Sequence, residues 1–218
     1  MYELILKSYN RSLLSFNYLK ISIFIFTLTE FILKIKNFPG FFQTGTIADF
    51  MLTLIFSIIQ TIFMIQYFLY FKNESSSLKK SIFFLPGYML YSLIYGLMIL
   101  LGFVFFIFPG IYFMISLIFT PMLSVIEQDS EESYTEISKN LVKNNWWKVF
   151  GYSIFLLSLY AISSLNYFIT DEIGKWIAAF VFSIISSFFT LLMCSIFYEL
   201  YLELKPIQNL KSLDETTL

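Results

Sequence analysis

The stretch FFIFPGIYFMISLIFTP (105–121) contains Pro109 next to Gly110 and ends at Pro121. It belongs to an apolar run, 82–126, of 45 residues without a single charged side chain. At 1.5 Å per residue this run would form a helix about 67 Å long. The hydrocarbon core of a bilayer is only about 30 Å thick. If the run lies in a membrane, it therefore has to reverse direction.

Pro109 and Gly110 divide the run into two pieces of spanning length. Proline stops the helix that precedes it, and glycine adopts the backbone angles that a tight turn needs. We therefore predict a turn at these two residues, with a helix on either side. Pro121 then falls inside the second of these helices, where we expect a local kink and consider the lining of a cavity as an alternative.

The composition supports a membrane protein. The 218 residues are 58% hydrophobic and 13% charged, whereas soluble domains are about 45–50% apolar and about 25% charged. We predict an all-α, polytopic membrane helix bundle that forms a single domain, 1–218. The predicted spans are 19–35, 47–71, 85–108, 110–126, 147–168 and 176–202.

The distribution of basic residues predicts the orientation of this bundle. With six spans and a cytoplasmic N-terminus, eleven of the fourteen Lys and Arg residues lie on the cytoplasmic side, as the positive-inside rule requires. The three on the outer side are Lys34, Lys36 and Lys175. Without a turn at Pro109 and Gly110, every later segment would change sides and the bias would largely vanish. The sequence thus predicts cytoplasmic termini and a turn on the outer face.

A polar segment, 130–146, separates the fourth and fifth predicted spans. Ser133 and Glu136 have the spacing of a capping box, and Tyr134, Ile137 and Leu141 form one apolar stripe. We predict an amphipathic helix that lies on the inner membrane surface or under the bundle. Its role is either to dock a partner or lipid headgroup, or only to join two spans.

Three polar residues within the first two spans form the candidate site: Glu30, Gln60 and Gln66. An ionisable group inside a span is costly and is expected to face the bundle, where Gln60 or Gln66 could donate hydrogen bonds to Glu30 or to serines. Glu30 also precedes Lys34 by one helical turn, so it could instead be an interfacial ion-pair partner. In the last span, Ala179, Ser183, Ser187, Thr190 and Cys194 form a small-residue stripe, as do Ser92 and Gly96 in the third, which predicts close helix packing.

Several function classes are excluded by the residue inventory. The chain has no histidine, one cysteine and a net charge of −1, which argues against zinc sites, Cys-His catalysis and a nucleic-acid partner. The acidic pairs Asp171–Glu172 and Glu127/Asp129 lack a third acid at ligand spacing, so we predict neither a metal nor another cofactor. We expect that the protein is not an enzyme. Membrane lipids are its expected partners, and another membrane protein is a further alternative.

A set of residues between Leu85 and Lys205 carries a family resemblance. They are Leu85, Pro86, Gly102, Pro109, Gly110, Ile111 and Pro121, the segments MLSVIEQD (122–129) and SKNL (138–141), and Thr170, Glu172, Ile173, Gly174, Leu200, Tyr201 and Lys205. With these residues the stretch 85–205 resembles the YciC-type inner-membrane proteins of gammaproteobacteria, which are in turn similar to the membrane domain of some glycerophosphodiester phosphodiesterases. The resemblance implies six spans in a bacterial inner membrane and no established activity.

Two functions follow as hypotheses. The first is a non-enzymatic, structural or partner-binding role in the cell envelope, which the lack of a catalytic inventory favours. The alternative is a small transporter or lipid-handling protein, in which Glu30, Gln60 and Gln66 line a path.

Overall fold

The computed structural model describes residues 2–35, 46–72, 77–127, 132–163 and 172–215, with side chains except at 17, 160, 162–163, 172 and 206–215. Every regular element in these ranges is a helix, so the predicted all-α class is confirmed. The described helices are α1 (Tyr2–Tyr18), α2 (Lys20–Ile35), α3 (Ile47–Phe71), α4 (Leu78–Phe105), α5 (Ile107–Ser116), α6 (Thr120–Ile126), α7 (Tyr134–Lys143), α8 (Trp146–Ser163) and α9 (Glu172–Glu215).

Four stretches of the described chain are long and apolar enough to cross a membrane, which indicates a membrane protein. They are Ile47–Phe71, Leu78–Phe105, Ile107–Ile126 and Ile173–Lys205. The predicted span 47–71 has the same bounds as α3. The predicted spans 19–35 and 147–168 correspond to α2, of 16 residues, and α8, of 18 residues; residues 164–168 lie outside the described ranges.

The apolar run reverses as its length requires, but the prediction that Pro109 and Gly110 form the turn is wrong. α4 ends at Phe105 and α5 begins at Ile107, with the extended residue Phe106 between them. Pro109 and Gly110 lie in the first turn of α5. A proline is tolerated there because the first N–H groups of a helix have no intrahelical partner. The helix can therefore start before its proline.

Gly110 serves helix packing rather than turn geometry. A Cβ built on Gly102 would lie 2.7 Å from the Gly110 Cα, a distance at which something must shift. Further from the turn, the Tyr95 hydroxyl donates to the Met114 carbonyl at 3.0 Å. Gly102 and Gly110 are equidistant from Phe106, and the second contact lies further along both helices, so α4 and α5 form an antiparallel hairpin with a glycine contact near its tip.

Two helices extend beyond the bounds of the predicted spans. α4 begins at Leu78 rather than residue 85, because the Ser77 side chain caps its first turn. The helix continues through Pro86, where the proline has no N–H and one backbone hydrogen bond is missing. Gly96 has open space around its Cβ position, so it does not pack within the chain. α9 starts at Glu172 and extends past residue 202 to Glu215.

The N-terminal helix α1 crosses the end of the bundle. Near its start, Lys7 and Arg11 contact Glu199 of α9, and at its end the Tyr18 ring lies 5.7 Å from that of Tyr70. Tyr70 and Glu199 lie at the same height along the axis of the bundle, because the rings of their sequence neighbours Phe71 and Tyr198 have centroids 6.1 Å apart. Both ends of α1 therefore lie at one level of the bundle.

α9 is the central helix, which packs against α1, α2, α3, α7 and α8. Its predicted small-residue stripe is largely buried, at Ala179, Ser183, Ser187 and Cys194. α2 runs antiparallel to it, since Thr27 bonds to Ser187 and Lys34 to the Phe182 carbonyl. The largest fully buried side chains on the other helices include Tyr67, Ile65, Phe119, Leu123 and Tyr152.

Helix α7 occupies the predicted amphipathic segment, with narrower bounds than 130–146; residues 130 and 131 lie outside the described ranges. It packs against α5, α6, α8 and α9, and Ser138, Leu141 and Val142 are buried. The predicted capping box is wrong in its first hydrogen bond, because the Ser133 hydroxyl contacts that of Thr135 at 2.7 Å. These contacts show that one face of α7 packs against other helices.

The glycine contact in the hairpin leads to a first prediction. Gly102→Ala forces α4 and α5 apart, because its Cβ would meet backbone atoms of Gly110. We expect a loss of about 1–3 kcal/mol, seen as a lower melting temperature of the detergent-solubilised protein. Gly96→Ala, on the same helix with nothing within 4 Å, is the matched control. Equal melting of the two variants would contradict the close approach.

Candidate functional site

The structure brings Glu30 and Gln60 together between α2 and α3. Gln60 Nε2 donates to Glu30 Oε1 at 2.8 Å, and the hydroxyl of Ser186 on α9 donates to Oε2 at 3.4 Å. Lys34 Nζ lies 3.8 Å from Oε2 and donates to the Phe182 carbonyl at 2.9 Å. The Glu30 carboxylate thus contacts Lys34 on its own helix as well as side chains of two other helices, and it links α2, α3 and α9.

Gln66 does not join this cluster. Its Oε1 accepts a hydrogen bond from Ser22 at 2.8 Å, which links α2 to α3 nearer the start of α2. Between the two positions, Thr27 Oγ1 donates to Ser187 Oγ at 2.9 Å. The three predicted site residues therefore belong to two separate contacts along α2, Glu30 with Gln60 and Ser22 with Gln66, and each contact joins α2 to α3.

A second buried carboxylate, Glu199 on α9, was not predicted from the sequence. Its side chain is 2% exposed, and Lys7 Nζ lies 2.6 Å from Oε2. The Arg11 guanidinium pairs with Oε1 and lies over the Tyr198 ring, 5.2 Å from its centroid. Two cations from α1 thus neutralise one carboxylate at the end of the bundle, which anchors α1 to α9.

The sequence signal that could have indicated the Glu199 site is a polar stripe on α1. From the sequence, Lys7 and Arg11 contribute only to the excess of basic residues on the predicted cytoplasmic side. Ser8, Ser12 and Ser15 continue the stripe at helical spacing and are fully buried; the Ser195 hydroxyl donates to the Ser8 carbonyl at 3.1 Å. Recurrence at three- and four-residue intervals indicates one helix face, but the sequence does not reveal the partner of that face.

Further charged pairs lie at the same end of α9. Lys148 Nζ, on α8, is 2.5 Å from a carboxylate oxygen of Glu203. Glu127, which follows α6, accepts hydrogen bonds from Lys205 and from the Tyr201 hydroxyl. Together with Glu199, these pairs form the charged end of the bundle. They bring the N-terminal helix, the end of α6 and the start of α8 to one end of α9.

The environment of Glu127 favours its charged form. Burial by itself raises the pKa of this carboxyl group. The hydrogen bonds from Lys205 and Tyr201, and the charges of Lys205 and Lys72, outweigh burial and hold the pKa below its usual value. The ion pair between α6 and α9 is therefore present at neutral pH.

A shallow polar groove opens beside these pairs, between α1, α8 and α9. Its volume is about 360 Å³, and its lining includes Lys7, Lys148, Tyr152, Glu199 and Glu203. Glu199 and Glu203 in this groove already pair with Lys7 and Lys148. The groove therefore presents mixed charge, without an excess that would select an anion or a cation.

The segment before Pro121 is a break in the helix. α5 ends at Ser116 and α6 starts at Thr120, with Pro121 in its first turn. Because Ile118 N donates to Ile115 and Thr120 N to Leu117, the carbonyls of Met114 and Ser116 lose their usual helical donors. A kink was predicted at this position, and the observed interruption comes directly before the proline.

Two side chains from other helices satisfy the freed carbonyls. Tyr95 on α4 donates to Met114 O at 3.0 Å, and Ser138 on α7 donates to Ser116 O at 2.9 Å. Irregular backbone at membrane depth requires such partners. Next to the break lies a cavity of about 450 Å³, whose lining includes Pro121, Tyr95, Phe150 and four methionines, Met64, Met114, Met122 and Met193. Its shape suits an apolar group.

The other predicted candidates contribute less. Asp129 and Asp171 lie outside the described residues, as does the side chain of Glu172. Cys194 is buried. Within the described ranges, no group of three acidic or cysteine side chains could hold a metal ion.

Comparison with models of protein families, with curated proteins and with solved structures finds no match for this chain. The resemblance to the YciC-type family therefore stays a prediction.

The Glu199 ion pairs yield a second prediction. Glu199→Gln leaves Arg11 and Lys7 without a counter-charge and should cost about 3 kcal/mol, the lower end for a disrupted buried pair, because Lys7 is largely exposed. Glu203→Gln is the matched control, since its pair with Lys148 is half-exposed and worth about 0–1 kcal/mol. Thermal melting in detergent measures both. A similar small shift for the two variants would disprove the anchoring role of Glu199.

Proposed function

We propose that this chain is a non-enzymatic, multi-pass protein of a bacterial inner membrane with a structural or partner-binding role. In this proposal α2 and α8 cross the membrane together with the four long apolar stretches, and both termini lie in the cytoplasm. The antiparallel packing of α2 along α9 supports the first additional span. The 18-residue length of α8 is compatible with the second.

The charged end of the bundle supports the proposed topology. Six spans with a cytoplasmic N-terminus put α1, the end of α6, the start of α8 and the end of α9 on one side. The pairs Lys7–Glu199, Lys205–Glu127 and Lys148–Glu203 join those same parts. The excess of Lys and Arg on that side favours the cytoplasm.

The observation that carries the non-enzymatic role is that the partly buried Glu30 and the buried Glu199 are both engaged by other side chains. Glu30 is engaged through both oxygens by Gln60 and Ser186, and Glu199 is neutralised by Lys7 and Arg11. A general acid or base needs a carboxylate within reach of its substrate. These two carboxylates are engaged in contacts between helices and therefore stabilise the bundle. The surfaces that remain for binding a partner are apolar.

A lipid-handling role is the second candidate, and one observation favours it. An apolar groove of about 900 Å³ lies between α2 and α9, next to the start of α2. Its apolar lining suits an acyl chain better than a polar solute. A transporter path through Glu30, Gln60 and Gln66 is less well supported, because these side chains bond to other helices.

A third prediction tests the topology with single cysteines. The native Cys194 is buried, so it should not react with a membrane-impermeant maleimide. Lys175→Cys should be labelled in intact spheroplasts, whereas Lys79→Cys should be labelled only after the inner membrane is opened. Labelling of Lys79→Cys in intact spheroplasts would contradict the proposed orientation.

A fourth prediction tests the partner-binding role. A photo-activatable amino acid in place of Leu93, which is 61% exposed on α4, should crosslink to a reproducible neighbouring protein in native membranes. The same amino acid in place of the buried Leu123 should give no intermolecular product. If position 93 crosslinks only to lipid, the partner-binding role fails for this face and the lipid-handling role gains support.

A further inference from the structure

The groove between α2 and α9 is long enough for one acyl chain. One wall is a stripe of α1 and α2 that includes Phe16, Lys20, Phe24 and Phe31, and the other is a stripe of α9 from Phe180 to Leu191. From Lys20 to Phe31 the helix rises about 16 Å at 1.5 Å per residue. This length is about half of the 30 Å hydrocarbon core of a bilayer, which corresponds to one leaflet.

The hydroxyl groups at the floor of the groove do not need a polar ligand as a hydrogen-bond partner. Thr27 Oγ1 donates to Ser187 Oγ at 2.9 Å, and the Ser187 hydroxyl donates in turn to the Ser183 carbonyl at 2.8 Å. These hydroxyl groups are satisfied within the protein. Around them the walls are aromatic and aliphatic, so an occupant that contacts the floor should be apolar along its length.

Lys20 supplies charge at one end of this groove. Among the described residues that line it, Lys20 is the one charged side chain, and it is exposed. It follows α1, which crosses the charged end of the bundle, so Lys20 lies near the level of Arg11 and Glu199. A lysine at such a position can extend its ammonium group to the membrane interface.

The exterior of α1 indicates what surrounds this end of the groove. The buried face of α1 carries Ser8, Ser12 and Ser15, whereas Leu6, Leu13, Leu14 and Phe16 are exposed together with Glu3, Lys7 and Asn10. A helix next to water has the reverse pattern, so the outer face of α1 suits the apolar part of a membrane interface. Phe16 belongs to this face and also lines the groove, which makes the two surfaces continuous.

We propose that the α2–α9 groove binds one acyl chain of an anionic phospholipid from the leaflet in which α1 lies, with the lipid phosphate at Lys20. This inference rests on the lipid-handling role described under the proposed function. The apolar walls contact the chain from Lys20 to Phe31, and the lysine charge selects anionic over zwitterionic headgroups. The fit of one leaflet favours a lipid over a second protein helix.

Native mass spectrometry of the full chain in detergent tests this proposal, with phosphatidylglycerol and phosphatidylcholine of identical acyl chains as probes. We expect one phosphatidylglycerol to be retained about fivefold more strongly than phosphatidylcholine, the effect of one basic residue beside an anionic headgroup. Lys20→Gln should remove this preference and leave phosphatidylcholine binding unchanged. Lys79→Gln, which removes an exposed lysine away from the groove, should keep it.

A groove-filling variant separates the contribution of the chain from that of the headgroup. Leu28→Trp, at a half-exposed groove position, should reduce the binding of both lipids. Glycerol phosphate in excess should not compete, because a free phosphate lacks the acyl chain.

Three results would overturn the proposal. They are an unchanged lipid preference in Lys20→Gln, competition by glycerol phosphate, and a dimer that Leu28→Trp converts to a monomer. The last result would assign the groove to a second copy of the chain. None of them alters the maleimide labelling pattern, so a failure here is distinguishable from a failure of the proposed topology.

Discussion

Backbone groups without a helical partner are costly wherever water is absent, and the break before Pro121 creates two of them. The carbonyls of Met114 and Ser116 are satisfied by Tyr95 and Ser138, which ties α4 and α7 to the same point. The hydrogen bond from Ser138 therefore holds α7 against α5 and α6. Because α7 leads directly into α8, its position also determines where that helix starts.

Polar side chains elsewhere in the bundle follow the same constraint. Glu30 is bonded by Gln60 and Ser186, and Glu199 by two cations of α1. Each interaction joins segments that are distant in sequence, so the polar groups specify which helices are neighbours. Their use in packing leaves apolar grooves as the surfaces on which a lipid or a membrane partner can bind.

Hydrophobic length predicted the reversal within 82–126, because no bilayer accommodates a single helix of that length. The position of the reversal was wrong by three residues, since proline interrupts a helix only where its missing N–H is needed. α3 was predicted with its observed bounds because it is a continuous apolar segment, and the structure adds that Thr46 caps its start. α1 was missed because its polar stripe is not typical of a span and its counter-charge lies almost 200 residues away.

The sequence by itself determined the helical class, the presence of apolar helices long enough to cross a membrane and the reversal within 82–126, because each depends on composition and length along the chain. It also indicated that Glu30 needed partners. Only the tertiary structure decided which partners meet: Gln60 for Glu30, Lys7 and Arg11 for Glu199, and α9 as the second wall of the groove beside Lys20. Such pairings depend on distances between helices, which hydropathy along one chain does not encode.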